Sequence, residues 1–247
     1  MKASVLMAKV VAIVQSNYIP WKGYFDMIRS VDEFVLYDDV QYTKRDWRNR
    51  NRIKTAQGTQ WLTIPVEVKG KFFQAIKDTK INDPSWGQTH WRTLCHCYSK
   101  APHFGDFYEI CQALFLGPKQ AFLSDVNREW IEAICKIMGI TTRITQSMDY
   151  SLSETDPSAR LLEICLQAKA SVYLSGPAAR VYLDEDLFAR SGIAVRYMDY
   201  AGYVEYPQLH PPFDHAVSVL DLLFMTGQRA SEFLNRGRHA ACLRCSR

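Results

Sequence analysis

Hydrophobic and polar positions follow two different periods along the chain, and the changes between them predict the order of strands and helices. A β-branched run from Val10 to Val14 stops at polar residues, which predicts a buried strand. Apolar residues at helical spacing from Tyr24 to Val31 predict a short helix. The run "EFVLYDDV" (33–40) predicts a second buried strand that ends at two acidic residues. Strand, helix and strand in close succession are typical of a βαβ unit, whose strands lie parallel with a right-handed crossover.

The later pattern adds a helical insertion and further strands. "TQWLTIPVEVKG" (59–70) alternates well enough for a third strand, and its Pro65 favours an edge position or an early stop. Helical spacing then prevails from residue 85 to about 138. The remaining runs predict strands at "ITTRITQSMD", "SVYLSG" and "VRYMDY", and helices at "DPSARLLEICLQAKA" and "VLDLLFMTG".

These elements predict an α/β fold with a mostly parallel, Rossmann-like sheet, flanking helices and a helical insertion around 85–138. The length of 247 residues and the hydrophobic fraction of 47% suit one domain with an ample core. We therefore expect a single α/β domain over residues 1–228 and a loosely attached tail over 229–247. No apolar run reaches the roughly 18 residues that a spanning helix needs, so we expect no membrane insertion.

Cysteine and histidine positions give little sign of a metal or of disulfides. The seven cysteines are an odd number at irregular spacing. Lys9 divides the N-terminal apolar stretch, which weighs against a secretory signal peptide. We therefore expect reduced thiols and a cytoplasmic location. Cys242 and Cys245 form a single CxxC, for which we favour a frayed tail over a zinc site. His90 and His96 lie six residues apart on a predicted helix and do not share a face, so we expect no metal site.

The net charge of +4 favours anionic ligands, and one segment concentrates cations. In "DDVQYTKRDWRNRNRIKT" (38–55), positive side chains follow the strand end at Lys44, Arg45, Arg48, Arg50, Arg52 and Lys54. The planar guanidinium fork matches phosphate oxygens, and lysine adds a mobile charge. In a strand, Arg48, Arg50 and Arg52 would share one face and form a bed for a pyrophosphate or another polyanion. A solvated charged loop is the alternative interpretation.

Polar segments follow three predicted strands, and ligands of open parallel sheets bind at the carboxyl ends of strands. The segment after the first strand offers neutral and charged donors at Gln15, Asn17, Tyr18 and Lys22. The segment "LSGPAARVYLD" (174–184) offers Ser175, Gly176 and Arg180 to a phosphate or carboxylate, with an ordinary turn as the alternative for its Ser–Gly pair. Together with the basic segment, these residues predict one composite site.

Asp38 and Asp39 are the candidate acidic residues of that site. One of them would act as a general base on an amine or a hydroxyl, or would bind magnesium. Neighbours in a strand point to opposite sides, so at most one faces the site while the strand continues. The alternative is an ion pair with the arginines that follow. The chain has no GxSxG, GxGxxG or GxxxxGK[ST] motif, which weighs against serine hydrolases and the usual dinucleotide and P-loop sites.

Several stretches of the chain resemble the WbqC-like protein family, and their order and spacing make the resemblance specific. They are "QSNYIPWKGYFDMI", "DEFVLYDDVQYTKRDWRNRNRIKT", "WLTIPV", "YLSGPAARVYLDEDLF", "GIAVRY" and "SVLDLLFMTG". The resemblance runs from about Val11 to Gly227. The family often carries His before the glutamine and Pro after it, where this chain has Val14 and Ser16. Chemistry assigned to that histidine therefore does not transfer.

The resemblance implies a place among genes for O-antigen and other surface polysaccharides or natural products, often beside sugar aminotransferases and acyl carrier proteins. By analogy, it implies acyl or aminoacyl transfer from an activated donor to the amine of a sugar nucleotide or a similar small molecule. The donor would be coenzyme A, a carrier-protein thioester or an aminoacyl-tRNA. Gln15 and one of the two aspartates would be catalytic, and the other candidate residues would bind substrate.

Two alternatives stay open. The opening strand and loop are loosely similar to nucleotidyltransferase-type Rossmann folds, which suggests an ATP-dependent ligase, although their HxGH-like element is absent here. The basic segment also suits a non-catalytic module that docks an acidic carrier protein or RNA.

Overall fold

The computed structural model of the protein describes residues 8–117 and 120–234. The strands within them are, in chain order, β1 (Val10–Val14), β2 (Glu33–Leu36), β3 (Arg50–Thr55), β4 (Gly58–Thr63), β5 (Arg143–Gln146), β6 (Val172–Ser175) and β7 (Ala194–Tyr197). The α-helices are α1 (Lys22–Arg29), α2 (Trp86–Tyr98), α3 (Tyr108–Leu116), α4 (Leu123–Ile137), α5 (Pro157–Gln167), α6 (Glu185–Arg190) and α7 (Val219–Thr226). Short 3₁₀ turns lie at Ile76–Asp78, Gly105–Phe107, Ser147–Asp149, Pro177–Val181 and Gly227–Phe233.

Five of the strands form one parallel sheet in the order β5-β2-β1-β6-β7. The chain moves outward from β1 through β2 to β5, and then returns to the other side of β1 at β6 before it continues to β7. The strand order therefore reverses between β1 and β6, which makes this pair the topological switch point of the sheet. The predicted α/β fold with a mostly parallel Rossmann-like sheet is confirmed.

Alternate residues of the central strands are buried on opposite faces of the sheet. In β1, Val10 and Ala12 belong to a large core that includes residues of α1, α2, α4 and α7. Val11 and Ile13 belong to a second core, which includes Ile164 of α5. Burial on both faces explains why β1 is apolar at every position, with no polar alternation.

The predicted third strand pairs outside the parallel sheet. β4 forms an antiparallel hairpin with β3, and Gly58, at a φ of 109°, follows the two-residue turn between them. The strand ends at Thr63, so its early stop before Pro65 agrees with the sequence pattern. Helices α2, α3 and α4 occupy the predicted insertion around 85–138.

The C-terminal part of the described chain packs on the core beyond residue 228. Ala230 and Leu234 are 2% and 3% exposed, so the predicted loosely attached tail (229–247) is packed as far as Leu234. Cys242 and Cys245 lie outside the described residues. Helix α6, with six residues, was not predicted because fewer than two turns give little periodicity. No helix within residues 8–117 and 120–234 has the length and apolar character to cross a membrane.

Candidate functional site

A cavity of about 720 Å³ opens at the carboxyl ends of β1 and β6. Gln15 and Asn17 after β1, and Ser175 and Gly176 at the end of β6, form parts of its wall. The volume lies within the roughly 300–1,000 Å³ typical of small-molecule sites. Since open α/β sheets bind ligands where the strand order reverses, this switch-point cavity is the candidate functional site.

The central polar group of the cavity is Arg48, which lies just before β3. Its guanidinium group donates hydrogen bonds to the side-chain oxygens of Gln15 and Asn17, and all three residues line the wall. We call these three residues the Arg48 cluster. Because the guanidinium group engages both carboxamide oxygens, the carboxamide orientations are fixed with their amino groups as outward donors. Neither amino group has a partner within the described residues, so the cluster offers several donors to an anion or a carbonyl oxygen.

The backbone around Arg48 is fixed to the loop that follows β1. The amide of Tyr18 donates to the carbonyl of Trp47 at 3.0 Å. Buried Asn127 of α4 donates to the Arg48 carbonyl at 2.9 Å and to the Ser16 hydroxyl at 3.0 Å. The helical insertion therefore positions the basic segment against the sheet, and the Arg48 cluster is preorganised.

The two aspartates that follow β2 have different environments. Asp38 is 2% exposed and accepts a hydrogen bond from the Ser16 amide at 2.8 Å. Burial raises the pKa of Asp38 above its usual range, against the opposing effect of the Ser16 hydrogen bonds. Asp38 thus holds the loop between Gln15 and Asn17 from behind, and it does not line the cavity.

Asp39 does not line the cavity either, but it contacts the wall residue Arg160 of α5. Arg160 donates to Asp39 Oδ2 at 2.6 Å and to the Tyr37 hydroxyl at 3.1 Å, and both Arg160 and Tyr37 line the wall. Oδ1 of Asp39 has no hydrogen-bond partner within the described residues. The wall therefore carries a second cation, with a carboxylate directly behind it.

The other cations of the basic segment lie outside the cavity. Arg50 and Arg52 share one face of β3, as a strand predicts, and Arg48 turns away from them before the strand begins. The Arg50 guanidinium lies 4.1 Å from the centre of the Trp61 ring, and Arg52 donates to the Ala216 carbonyl at 3.1 Å. Lys44 and Arg45 are exposed, and Lys54 is buried and donates to the Pro212 carbonyl. The structure thus divides the predicted arginine bed between the cavity and an exposed hairpin face.

Tyr18 is fully buried and takes part in a separate hydrogen-bond network. Its hydroxyl lies 2.8 Å from Nδ1 of His90, and Nε2 of His90 lies 3.2 Å from the Thr63 carbonyl. A carbonyl only accepts, so Nε2 carries the proton and Nδ1 accepts from the hydroxyl of Tyr18. Burial lowers the pKa of His90 to about 4, so the imidazole is neutral at pH 7.

Lys22 and Arg180 also lie away from the switch-point cavity. Lys22 is 2% exposed, donates to the Val204 carbonyl at 3.0 Å and lies 4.9 Å from the centre of the Tyr203 ring. Burial lowers the pKa of Lys22 to about 8. Arg180 is exposed and lies over the Tyr197 ring at 4.4 Å.

Several wall residues were not predicted from the sequence. Arg160 is the main example, and aromatic residues add Tyr173, Tyr182 and Tyr200 to the wall. The signal that favours Arg160 is its place in the first turn of a helix that follows a parallel strand, since such turns border the carboxyl edge of the sheet. No group of three or more His, Cys, Asp or Glu side chains in the described parts of the chain is placed to hold a metal ion.

Comparisons with known proteins give a family and one close relative. The sequence model of the WbqC-like protein family matches residues 15–233. The uncharacterized protein Rv1507c of Mycobacterium tuberculosis is 52% identical over 226 residues, which cover 92% of this chain and 97% of that protein. No solved structure matches the chain significantly.

Proposed function

The chain belongs to the WbqC-like protein family, and from that membership together with the cavity geometry we propose a group-transfer enzyme that acts on a phosphorylated small molecule. The observation that carries the proposal is the Arg48 cluster on the wall of the switch-point cavity. It combines a fixed guanidinium group with two oriented carboxamides, which is a donor set suited to phosphate oxygens.

The reaction that we propose is acyl or aminoacyl transfer to the amine of a sugar nucleotide or similar molecule, in cytoplasmic surface-polysaccharide or natural-product biosynthesis. The amine nitrogen attacks the carbonyl carbon of a thioester or ester donor, the C–N bond forms, and the C–S or C–O bond breaks. Donors on the wall stabilise the negative charge that develops on the carbonyl oxygen. Coenzyme A, a carrier-protein thioester or an aminoacyl-tRNA would supply the activated group.

Asp39 is the proton acceptor in this scheme. Its Oδ1 is buried and without a hydrogen-bond partner in the described residues, and Arg160, which lines the cavity, donates to Oδ2. A substrate phosphate that binds Arg160 competes with Asp39 for this guanidinium group. Asp38 has the supporting role of fixing the loop that carries Gln15, because the Asp38 carboxylate is buried.

A second candidate function rests on the cations outside the cavity. Arg50 and Arg52 share the hairpin face with Trp61, which is 41% exposed, and Lys44 and Arg45 are exposed nearby in sequence. An exposed face of cations and indoles favours docking of an acidic carrier protein or RNA. Such binding collapses with added salt, whereas binding inside a cavity is screened less.

A thermal-shift screen at low and physiological salt tests the proposal. The panel contains ATP, coenzyme A, nucleoside-diphosphate amino sugars and an acyl carrier protein, since a ligand of the folded state raises the melting temperature. We expect a shift with a phosphorylated small molecule that Arg48→Met abolishes.

The matched control is Arg128→Met, which removes an arginine of α4 whose side chain is 41% exposed and does not line the cavity. If Arg48→Met and Arg128→Met both show the same thermal shift with this ligand as the wild type does, the proposed site is wrong. ATP-dependent pyrophosphate exchange would favour the ligase, and salt-sensitive carrier or RNA binding without small-molecule shifts would favour the docking module.

A further inference from the structure

A smaller cavity of about 220 Å³ adjoins the switch-point cavity. Asn17, Trp21 and Trp47 line both cavities, and Asn51 and Ala216 contribute to the smaller one alone. Its volume is below the roughly 300–1,000 Å³ that accommodates a drug-sized ligand, so it suits one ring system of a larger substrate. We call it the indole cavity, after its two tryptophans.

The first tryptophan is held in place by packing. The Trp21 indole covers the backbone at Gly23, where an added Cβ would overlap the ring. Tyr200 and Tyr203 meet the indole edge-on at centroid distances of 5.1 and 5.9 Å. The wall that Trp21 gives to both cavities is therefore rigid.

The second tryptophan is held by its backbone, although its side chain is open to solvent. The Trp47 carbonyl accepts from the Tyr18 amide at 3.0 Å, and its amide donates to Asp46 at 2.7 Å. The side chain nevertheless remains 39% exposed and contacts Trp61 at a centroid distance of 5.3 Å. An exposed indole on a fixed backbone beside a cavity offers a ring face to a ligand, and its two rotatable bonds keep the cost in conformational entropy small.

Two arginines flank this ring face, each with a carboxylate nearby: Asp214 for Arg52 and Asp46 for Arg48. The Arg52 guanidinium lies 5.9 Å from the Trp47 ring, and Arg52 donates to the carbonyl of Ala216 in the cavity wall. Arg48 follows Trp47 directly in sequence and lines the adjoining cavity. A ligand that joins a flat ring to phosphates would use both the ring face of Trp47 and the arginines beside it, whereas an uncharged apolar ring would use only the ring face.

We propose that the indole cavity binds the nucleobase of a nucleotide-linked substrate, whose phosphates reach Arg48 in the switch-point cavity. The inference rests on the proposed function for the phosphate end of the substrate. The base stacks on Trp47, and the amino group of Asn17, which has no partner within the described chain, donates to an oxygen or a ring nitrogen of the base. Because every base has a π-face, stacking supplies affinity and Asn17 supplies preference among bases.

Isothermal titration of the full chain with UDP, ADP, inorganic pyrophosphate and glucose 1-phosphate tests this site. Stacking of one base is worth roughly 5- to 150-fold in affinity, so we expect a nucleoside diphosphate to bind tighter than pyrophosphate by that factor. Trp47→Ala should remove this difference, so that nucleoside diphosphates and pyrophosphate bind this variant with equal affinity, and Trp47→Phe should retain most of it. Phe73→Ala is the matched control, since Phe73 is 85% exposed and lines neither cavity.

The outcomes separate the nucleobase site from the proposed function. Equal binding of nucleoside diphosphates and pyrophosphate, or a base-dependent gain that survives Trp47→Ala, overturns the nucleobase site. Tighter binding of glucose 1-phosphate than of both nucleoside diphosphates also overturns it, in favour of a sugar on the indole. If pyrophosphate binding still depends on Arg48, the proposed function survives these results. A Trp47-dependent gain from the base without turnover of any donor supports the site and counts against group transfer.

Discussion

Replacement of Asp38 distinguishes a carboxylate that positions the loop from one that takes part in catalysis. Asp38→Ala leaves the buried Ser16 amide without its acceptor at 2.8 Å. An unsatisfied buried donor costs about 1–3 kcal/mol, which for a protein of this length corresponds to a fall in melting temperature of roughly 2–12 °C. Asp38→Asn keeps an oxygen for the amide and removes a buried charge, so its unfolding free energy should lie within about 0.5 kcal/mol of the wild type or above it.

The pH dependence gives the same comparison a second readout. The folded protein holds the Asp38 proton more tightly than the unfolded chain, because burial raises the pKa of this carboxyl. Ionisation of Asp38 therefore costs stability, and this cost is complete above the raised pKa of the folded state. The cost falls as the pH drops from that value to the lower pKa of the unfolded chain, and below the unfolded pKa it is gone. Any advantage of Asp38→Asn over the wild type should shrink towards low pH.

Urea unfolding at several pH values measures both effects, and ligand-induced thermal shifts measure the function. Asp38→Asn should keep the shift that a phosphorylated ligand produces, since the Arg48 cluster stays in place. If Asp38→Asn is as damaging as Asp38→Ala to binding and turnover, with normal stability, the charge itself is required. That result would refute the positioning role and favour Asp38 as the proton acceptor.

Three further predictions follow from other contacts. The neutral His90 has its pKa lowered to about 4, so the unfolded chain takes up a proton first as the pH falls from about 6.5 to about 4. The unfolding free energy of the wild type, measured with urea, should fall by roughly 3 kcal/mol across that pH window, and that of His90→Gln should fall less. Equal falls in the two proteins would contradict this. Gly227 has a φ of 60°, and an added Cβ would lie 2.6 Å from His103 Nδ1. Gly227→Ala should therefore lower the unfolding free energy by about 1–3 kcal/mol, and an unchanged midpoint of urea unfolding would contradict this. Arg160→Ala should weaken pyrophosphate binding about tenfold or more in titration calorimetry through loss of a charged hydrogen bond, and equal affinity would remove Arg160 from the site.

The elements of the parallel sheet could be predicted because their sequence signal is local. The strand from Val10 to Val14 is buried on both faces, so every position is apolar and the run ends where the loop begins. The coarse position of the cavity was therefore predictable from segments that follow strands.

The division of roles among the polar residues could not be predicted, because it depends on contacts between distant parts of the chain. Arg48 bonds to Gln15 across 33 positions, and Asp39 bonds to Arg160 across 121. Tyr18 lies only three residues after Gln15, but it joins a separate buried network because the loop after β1 bends at Tyr18. Sequence spacing fixes which residues enter the loop, and tertiary packing decides which of them face the cavity.

The most direct test of the central claim is a crystal structure of the protein with the phosphorylated ligand that gives the largest thermal shift. We expect a phosphate group in the switch-point cavity, about 3 Å from the guanidinium group of Arg48 or from the amino groups of Gln15 and Asn17. Ordered phosphate on the exposed hairpin face beside Arg50, with the switch-point cavity filled only by water, would contradict the account.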